Sequence, residues 1–128
     1  MPQRRRLGKI RNFEKKPYSP GRDGALNRVR LKGKVSRRGT LKYTPLGTAV
    51  YDFTLAVPQR YFDKDSVGYV EIIITGKFAE EGKDLVRVGQ VITLDGALWA
   101  RSFRNRQGVK VSETKVLIDS MGGENEEI

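Results

Sequence analysis

A two-residue periodicity of apolar side chains constrains the fold more than any other feature of the sequence. It covers residues 29–35 and 49–57, where an apolar residue or glycine occupies every second position. Successive side chains of an extended chain point to opposite faces, so each stretch predicts a β-strand with one buried face. Tyr51 and Phe53 lie on the apolar side of the second strand and are expected in the core. Pro58 predicts the end of that strand.

Three more strands and one helix complete the predicted fold. After a polar loop over residues 59–68, residues 69–75 predict a third strand, and residues 77–86 predict a short helix. Residues 91–102 and 109–119 predict the fourth and fifth strands. Five strands with one short helix between the third and the fourth is the element order of an all-β, five-stranded Greek-key OB-fold barrel. The exposed face and loops of such barrels bind oligonucleotides.

Several isolated glycines fit this fold. Gly33 and Gly96 lie inside predicted strands, where a glycine permits the bend that a closed barrel requires. Gly82 weakens the predicted helix, and Gly89 lies just beyond its end.

The charge distribution divides the chain into three parts. Its 128 residues, 38% of them hydrophobic, are enough for one core. Residues 1–26 predict a flexible basic arm, residues 27–120 the barrel domain, and residues 121–128 a short acidic tail. A merely solubilising arm is the alternative interpretation. The net charge of +10 favours a polyanionic partner, because cations at a surface release the counterions condensed on phosphates.

Composition also excludes several classes of function. The sequence has no cysteine and no histidine, which removes disulfides, the usual zinc ligands and nucleophile–histidine pairs. Glu80 and Glu81 are interpreted as surface residues of the helix. We therefore predict no enzyme activity, no metal and no cofactor. Residues 1–16 contain no apolar run of membrane or secretory length, which predicts a cytoplasmic protein; Glu14 and the lack of serine argue against a mitochondrial transit peptide.

Five short motifs resemble the bacterial-type single-stranded DNA-binding protein family over residues 27–119. Their order and spacing carry the resemblance. The motifs are Asn27-Arg-Val-Arg-Leu-Lys-Gly-Lys-Val35, Leu41-Lys-Tyr-Thr-Pro-Leu-Gly-Thr-Ala-Val50, Phe53-Thr-Leu-Ala56, Gly76-Lys-Phe-Ala-Glu80 and Val88-Gly-Gln-Val-Ile-Thr-Leu-Asp-Gly-Ala-Leu98. The resemblance implies an OB-fold oligomer, usually a homotetramer, that wraps single-stranded DNA in replication, recombination or repair.

The resemblance also implies which aromatic rings stack on bases. The family positions fall on Tyr61, Tyr69 and Phe103, whereas Thr75 occupies a position that is often aromatic in the family. Tyrosine replaces tryptophan at the first two positions. Base–aromatic stacking contributes roughly 1 to 3 kcal/mol per base, so this set predicts a lower affinity per nucleotide unless charge compensates.

The C-terminal sequence departs from the family pattern. The chain ends in Gly122-Gly-Glu-Asn-Glu-Glu-Ile128, without the long linker and the terminal Pro-Phe that dock replication and repair proteins in the family. It therefore resembles a short family member, and it also resembles the dimeric primosomal single-strand binders. Recruitment of replication or repair proteins by this tail stays open.

The predicted nucleic-acid interface combines cations with aromatic rings. Alternation places three basic residues of the first strand on one face, and it places Trp99, Arg101 and Phe103 on one face of the fourth. Two roles of Trp99 stay open: contact with the ligand and packing in a subunit interface. The predicted binding residues are Arg28, Arg30, Lys32, Lys34, Arg37, Arg38, Lys42, Tyr61, Tyr69, Trp99, Arg101, Phe103, Arg104, Arg106 and Lys110.

Two classes of function remain after these exclusions. The first is sequence-nonspecific binding of single-stranded DNA by a homotetramer. The second is an OB-fold assembly module, either a primosomal-type dimer or a protein that binds structured RNA through its 2′-hydroxyl groups.

Overall fold

The computed structural model describes residues 10–11 and 25–123. The described backbone forms seven strands and one helix. In chain order these are β1 (Ile10–Arg11), β2 (Val29–Arg38), β3 (Lys42–Tyr43), β4 (Ala49–Tyr61), β5 (Lys64–Thr75), α1 (Lys77–Leu85), β6 (Val91–Arg104) and β7 (Lys110–Gly123).

The five long strands close into a barrel. They are hydrogen-bonded in the order β7-β5-β4-β2-β6, and the additional pairing of β6 with β7 joins the two ends of the sheet. All neighbours are antiparallel except β5 and β7. The helix lies between β5 and β6, the third and fourth long strands; the two-residue strands β1 and β3 pair with β7 and β4. The predicted OB-fold barrel is confirmed.

The core fills the interior of the barrel with the side chains of one face of each strand. Tyr51 and Phe53 are fully buried, as predicted, and Ile72 and Ile74 are buried on the corresponding face of β5. The largest fully buried side chains are those of Tyr51, Phe53, Leu55, Ile72, Ile74, Ile92, Leu94, Ile118, Met121, Val35, Val86 and Val116.

Helix α1 covers one end of the barrel. It buries Phe78, Ala79 and Gly82. A Cβ atom on Gly82 would lie 2.8 Å from Cδ1 of Ile74, so the glycine that weakens the helix also lets it approach the core. Gly89 follows the helix with a φ of +88°, a conformation that favours glycine. In the described part of the chain, no helix combines the length and the apolar content needed to cross a bilayer.

The largest departure from the sequence prediction is the hairpin between β4 and β5. The predicted polar loop over residues 59–68 is wrong, because the two strands stay paired from Val50 opposite Thr75 to Tyr61 opposite Lys64. Only two residues, Phe62 and Asp63, form the turn, and their φ values are 48° and 62°. Positive φ at both central residues is typical of a two-residue type I′ hairpin turn. This turn lacks the glycine or asparagine that normally predicts a type I′ turn from the sequence.

Pro58 lies within β4 instead of ending it. It is opposite Val67 in β5, whereas the pairing of β4 with β2 stops at Ala56. One edge of β4 is therefore unpaired beyond Ala56. A residue without an N–H group is tolerated at such an edge because no ladder hydrogen bond is lost there.

The two ends of the barrel domain also differ from the predicted boundaries. β7 runs to Gly123 and fully buries Met121, so the barrel extends past the predicted boundary at residue 120. Within the predicted arm, Ile10 and Arg11 form β1, opposite Met121 and Ser120 of β7. Residues 1–9 and 12–24 of the predicted arm and residues 124–128 of the predicted tail lie outside the described residues.

The close approach of β2 to β4 generates a stability prediction. A methyl group on Gly33 would collide with the backbone carbonyl oxygen of Ala56. Because backbone cannot move aside cheaply, we expect Gly33→Ala to lower the free energy of unfolding by about 1 to 3 kcal/mol in urea titrations. Gly68→Ala is the matched control: its methyl group would meet only the side-chain amide of Gln59, and we expect a change within about 0.5 kcal/mol. Equal effects of the two substitutions would contradict this account of Gly33.

Candidate nucleic-acid interface

The basic residues of β2 lie on the outside of the barrel. Arg30 is opposite Asp95 of β6, Lys32 is opposite Thr93, and Lys34 lies between Val91 of β6 and Ala56 of β4. The alternate residues of β2 face the core, where Val35 is fully buried. We call the side of the strands that carries Arg30, Lys32 and Lys34 the outer face.

Ion pairing divides these cations into two groups. Nη2 of Arg28 and Nη2 of Arg30 lie 3.7 Å and 3.1 Å from Oδ2 of Asp95. Within the described part of the chain, Lys32 and Lys34 form no ion pair. These two lysines therefore present the part of β2 that is best placed to attract an anion.

Three side chains of β6 form a column on the same outer face. The guanidinium carbon of Arg101 lies over two aromatic rings, 5.4 Å from the ring centroid of Trp99 and 4.7 Å from that of Phe103. Nε of Arg101 also donates a hydrogen bond of 2.6 Å to Oε1 of Glu113 on β7. Trp99 and Phe103 are each 39% exposed. The column thus offers accessible aromatic surface with a cation held against it.

The two tyrosines do not lie on one face of the β4–β5 hairpin. Tyr69 is opposite Ala56, which is itself opposite Lys34, so Tyr69 belongs to the outer face. Tyr61 is opposite Lys64 and lies an odd number of residues from Ala56 along β4, which puts it on the other face. Both rings are largely exposed, at 69% for Tyr69 and 72% for Tyr61.

A β-bulge between Val35 and Arg37 determines the faces on which Arg37 and Arg38 lie. The register between β2 and β4 shifts between Val35 and Arg37, so Arg37 is opposite Thr54 on the outer face and Arg38 is opposite the buried Phe53. Nη2 of Arg37 donates a hydrogen bond of 3.0 Å to Glu71.

Arg38 is held on the core side of β2 by contacts with other parts of the barrel. Its Nε donates to the hydroxyl oxygen of Tyr51 at 3.2 Å, and its Nη2 donates to the carbonyl oxygen of Lys83 at 2.9 Å. The structure therefore does not bring Arg38 together with the other cations of β2.

The remaining predicted residues lie away from this cluster. Lys42 is on the short strand β3, opposite Val50. Arg104 is opposite Lys110 next to the β6–β7 turn and donates a hydrogen bond of 2.9 Å to the carbonyl oxygen of Gly108. Arg106 is exposed within that turn. The three basic residues of the β6–β7 hairpin, Arg104, Arg106 and Lys110, extend the positive surface beyond the barrel.

Sequence reasoning missed Phe62, the most exposed aromatic residue described. Its side chain is 83% exposed in the turn between β4 and β5. The interpretation of residues 59–68 as a polar loop gives no weight to a second ring next to Tyr61. An aromatic pair inside an otherwise polar segment is the signal that could have found it.

A carboxylate of the helix is hydrogen-bonded to β3. The hydroxyl of Tyr43 donates a hydrogen bond of 3.2 Å to Glu80. Desolvation and then the negative charge of Glu80 raise the pKa of Tyr43, so the phenol stays neutral. Among the residues described, no three acidic side chains gather closely enough to hold a metal ion.

Comparison with known proteins identifies the family of this chain. Residues 26–122 match the model of the single-strand binding protein family. The chain is 33% identical over 99 residues to the single-stranded DNA-binding protein of Halalkalibacterium halodurans, a match that covers 75% of this chain and 59% of that protein. The corresponding protein of Lactiplantibacillus plantarum is 31% identical over 98 residues, 74% of this chain and 49% of the relative.

The relatives are longer than the region they share with this chain. The single-stranded DNA-binding protein of Clostridium tetani is 32% identical over 99 residues, covering 75% of this chain and 68% of that protein. The chain therefore spans about half to two thirds of the length of these relatives. With most of the barrel matched, the chain belongs to the single-strand binding protein family.

Proposed function

We propose that this protein binds single-stranded DNA without sequence preference and without catalysing a reaction. The observation that carries the proposal is the outer face, where Lys32 and Lys34 share the barrel surface with exposed aromatic rings on β5 and β6. Proteins that bind single strands in this way combine cations that follow the backbone with rings on which bases stack. The relatives named as single-stranded DNA-binding proteins support the same ligand.

Phosphates are attracted first to the lysines of β2. These side chains form no ion pair within the described residues, so a phosphate meets no competing carboxylate there. Arg28 and Arg30 are paired with Asp95 but keep side-chain exposures of 60% and 61%. Asp95 itself is only 15% exposed, so a phosphate reaches these guanidinium groups from the solvent side while Asp95 stays paired.

Bases stack on the aromatic rings next to those cations. Tyr69 lies in one cross-strand row with Ala56 and Lys34, about 10 Å from Lys34 at the spacing of two strands. A backbone phosphate at Lys34 therefore leaves its base within reach of the Tyr69 ring. Trp99 and Phe103 supply a second stacking surface on β6.

The cellular role follows from the ligand. We place the protein in DNA replication, recombination or repair in the cytoplasm, acting as a homo-oligomer, and we assign the tetramer as its form. The basic arm predicted over residues 1–26 adds charge to this assembly, and the acidic residues after 123 are the segment that would contact replication or repair proteins.

The two lysines of β2 are tested by the salt dependence of binding. Each lost phosphate contact reduces the steepness of log affinity against log salt concentration by about 0.7. We expect the double variant Lys32→Ala, Lys34→Ala to bind poly-dT more weakly and with a shallower slope, measured by quenching of the single tryptophan, Trp99. Lys83→Ala on α1 is the control and should leave the slope unchanged. An unchanged slope in the double variant would remove β2 from the interface.

Tyr69 is tested by deleting its ring. A base that loses its stacking partner loses roughly 1 to 3 kcal/mol, so Tyr69→Ala should weaken poly-dT binding by about fivefold or more. Tyr69→Phe keeps the ring and should stay near the parent affinity. A loss of the same size in both variants would assign the effect to the hydroxyl group instead of stacking.

The oligomeric state distinguishes the proposed protein from a primosomal-type module. Mass measurement in solution is expected to give a tetramer at micromolar concentration. A dimer that binds single strands would favour the primosomal alternative. Preference for structured RNA over poly-dT would favour recognition of 2′-hydroxyl groups and contradict the proposal.

A further inference from the structure

The turn of the β4–β5 hairpin exposes an aromatic pair far from the core. Phe62 is 83% exposed, and Tyr61 next to it is also largely exposed. Tyr61 lies six residues beyond the buried Leu55 along β4, about 20 Å at the rise of an extended strand. Neither ring belongs to the core cluster of the barrel. Folding of the described domain therefore does not explain why two large rings stand at this position.

The backbone makes a phenylalanine at this turn more unusual still. Phe62 has a φ of 48°, and bulky residues rarely adopt the left-handed region. Asparagine and glycine adopt it readily and are the residues that type I′ turns favour. The turn thus holds a side chain that disfavours the fold of the hairpin and stays 83% exposed. Backbone strain of this kind clusters at functional sites.

The two rings form a corner. Their centroids are 4.4 Å apart and their planes meet at 64°, so the edge of one ring meets the face of the other. A perpendicular pair leaves an open aromatic face beside a second apolar wall, which fits a flat base that stacks on one ring and contacts the other. Lys64 is the cross-strand neighbour of Tyr61, within reach of the phosphate of such a nucleotide.

The corner also lies between the two faces of the hairpin. Tyr69 is on the outer face and Tyr61 is on the opposite one. A DNA strand that contacts both tyrosines has to pass around the end of the hairpin. The two faces of the hairpin meet at the turn that contains Phe62.

We propose that Phe62 is a further base-binding residue, which extends the predicted stacking position of Tyr61 into a corner where an unpaired nucleobase contacts both rings. The subsite rests on the proposed binding of single-stranded DNA. Phe62 contacts the base directly, and its strained conformation holds the ring at the end of the hairpin. A ring at residue 62 therefore increases affinity for single strands while it decreases the stability of the turn.

Opposite effects on binding and stability provide the test. Phe62→Asn places a residue that accepts positive φ in the turn, so its melting temperature should equal or exceed that of the parent protein. Its affinity for poly-dT should fall by about fivefold or more. Phe62→Leu keeps an apolar side chain without a ring and should lose similar affinity, whereas Phe62→Tyr should bind like the parent.

The control is Val88→Asn, which removes an exposed apolar side chain from the loop between α1 and β6. The next residue of that loop, Gly89, donates a hydrogen bond to the carbonyl oxygen of Val35 in β2, so the loop lies away from the hairpin turn. It should change neither affinity nor melting temperature. If the parent protein binds poly-dT and Phe62→Asn and Phe62→Leu bind equally well, the subsite is refuted. A parallel loss of melting temperature and affinity in both variants would also refute it, by showing a structural role. Failure of the parent protein to bind poly-dT would instead refute the proposed function.

Discussion

Closure of the barrel by β6 is the constraint on which the other features depend. β6 pairs with β2 along one edge and with β7 along the other, and this double pairing joins the ends of the sheet. The strands approach closely at Gly33 and Gly96, where a methyl group would collide with the carbonyl oxygens of Ala56 and Leu117. Once the sheet is closed, every strand has one face inside and one outside. The alternation that builds the core therefore also sends Lys32 and Lys34 outward.

The outer face balances cations against a few carboxylates. Asp95 holds Arg28 and Arg30, and Glu71 lies 3.0 Å from Arg37 and 4.0 Å from Lys115. The arginine side chains of these pairs are 60–63% exposed, whereas Asp95 is only 15% exposed and Glu71 36%. Loss of its partners would leave the Asp95 carboxylate largely buried and unpaired, which is costly, so these carboxylates stay paired and lower the local positive potential. The lysines of β2, unpaired within the described residues, therefore dominate the positive potential of the outer face.

The sequence predicted those parts of the fold that depend on local periodicity. The buried faces of β2, β4 and β5 and the position of the helix could be deduced because the spacing of apolar residues indicates which side of an element is buried. The hairpin turn could not, since phenylalanine at residue 62 does not signal positive φ, and Asp63 alone is a weak turn signal. Arg38 illustrates a second limit in the candidate site. Alternation alone puts it on the outer face, but the bulge after Val35 reverses the faces and turns its side chain toward Tyr51.

The column on β6 differs physically from a row of independent stacking sites. Alternate residues of a strand are about 6.8 Å apart, and the guanidinium of Arg101 lies over both neighbouring rings. Its hydrogen bond to Glu113 fixes it there. Arg101 lies over both rings, so under the proposed function a base would stack only on the ring surfaces that Arg101 leaves free, and not between the rings. Thr75 leaves the end of β5 without an aromatic ring, whereas the column places an aromatic surface on β6. Stacking on such a coupled surface would not be additive, because displacement of Arg101 would disturb both rings at once.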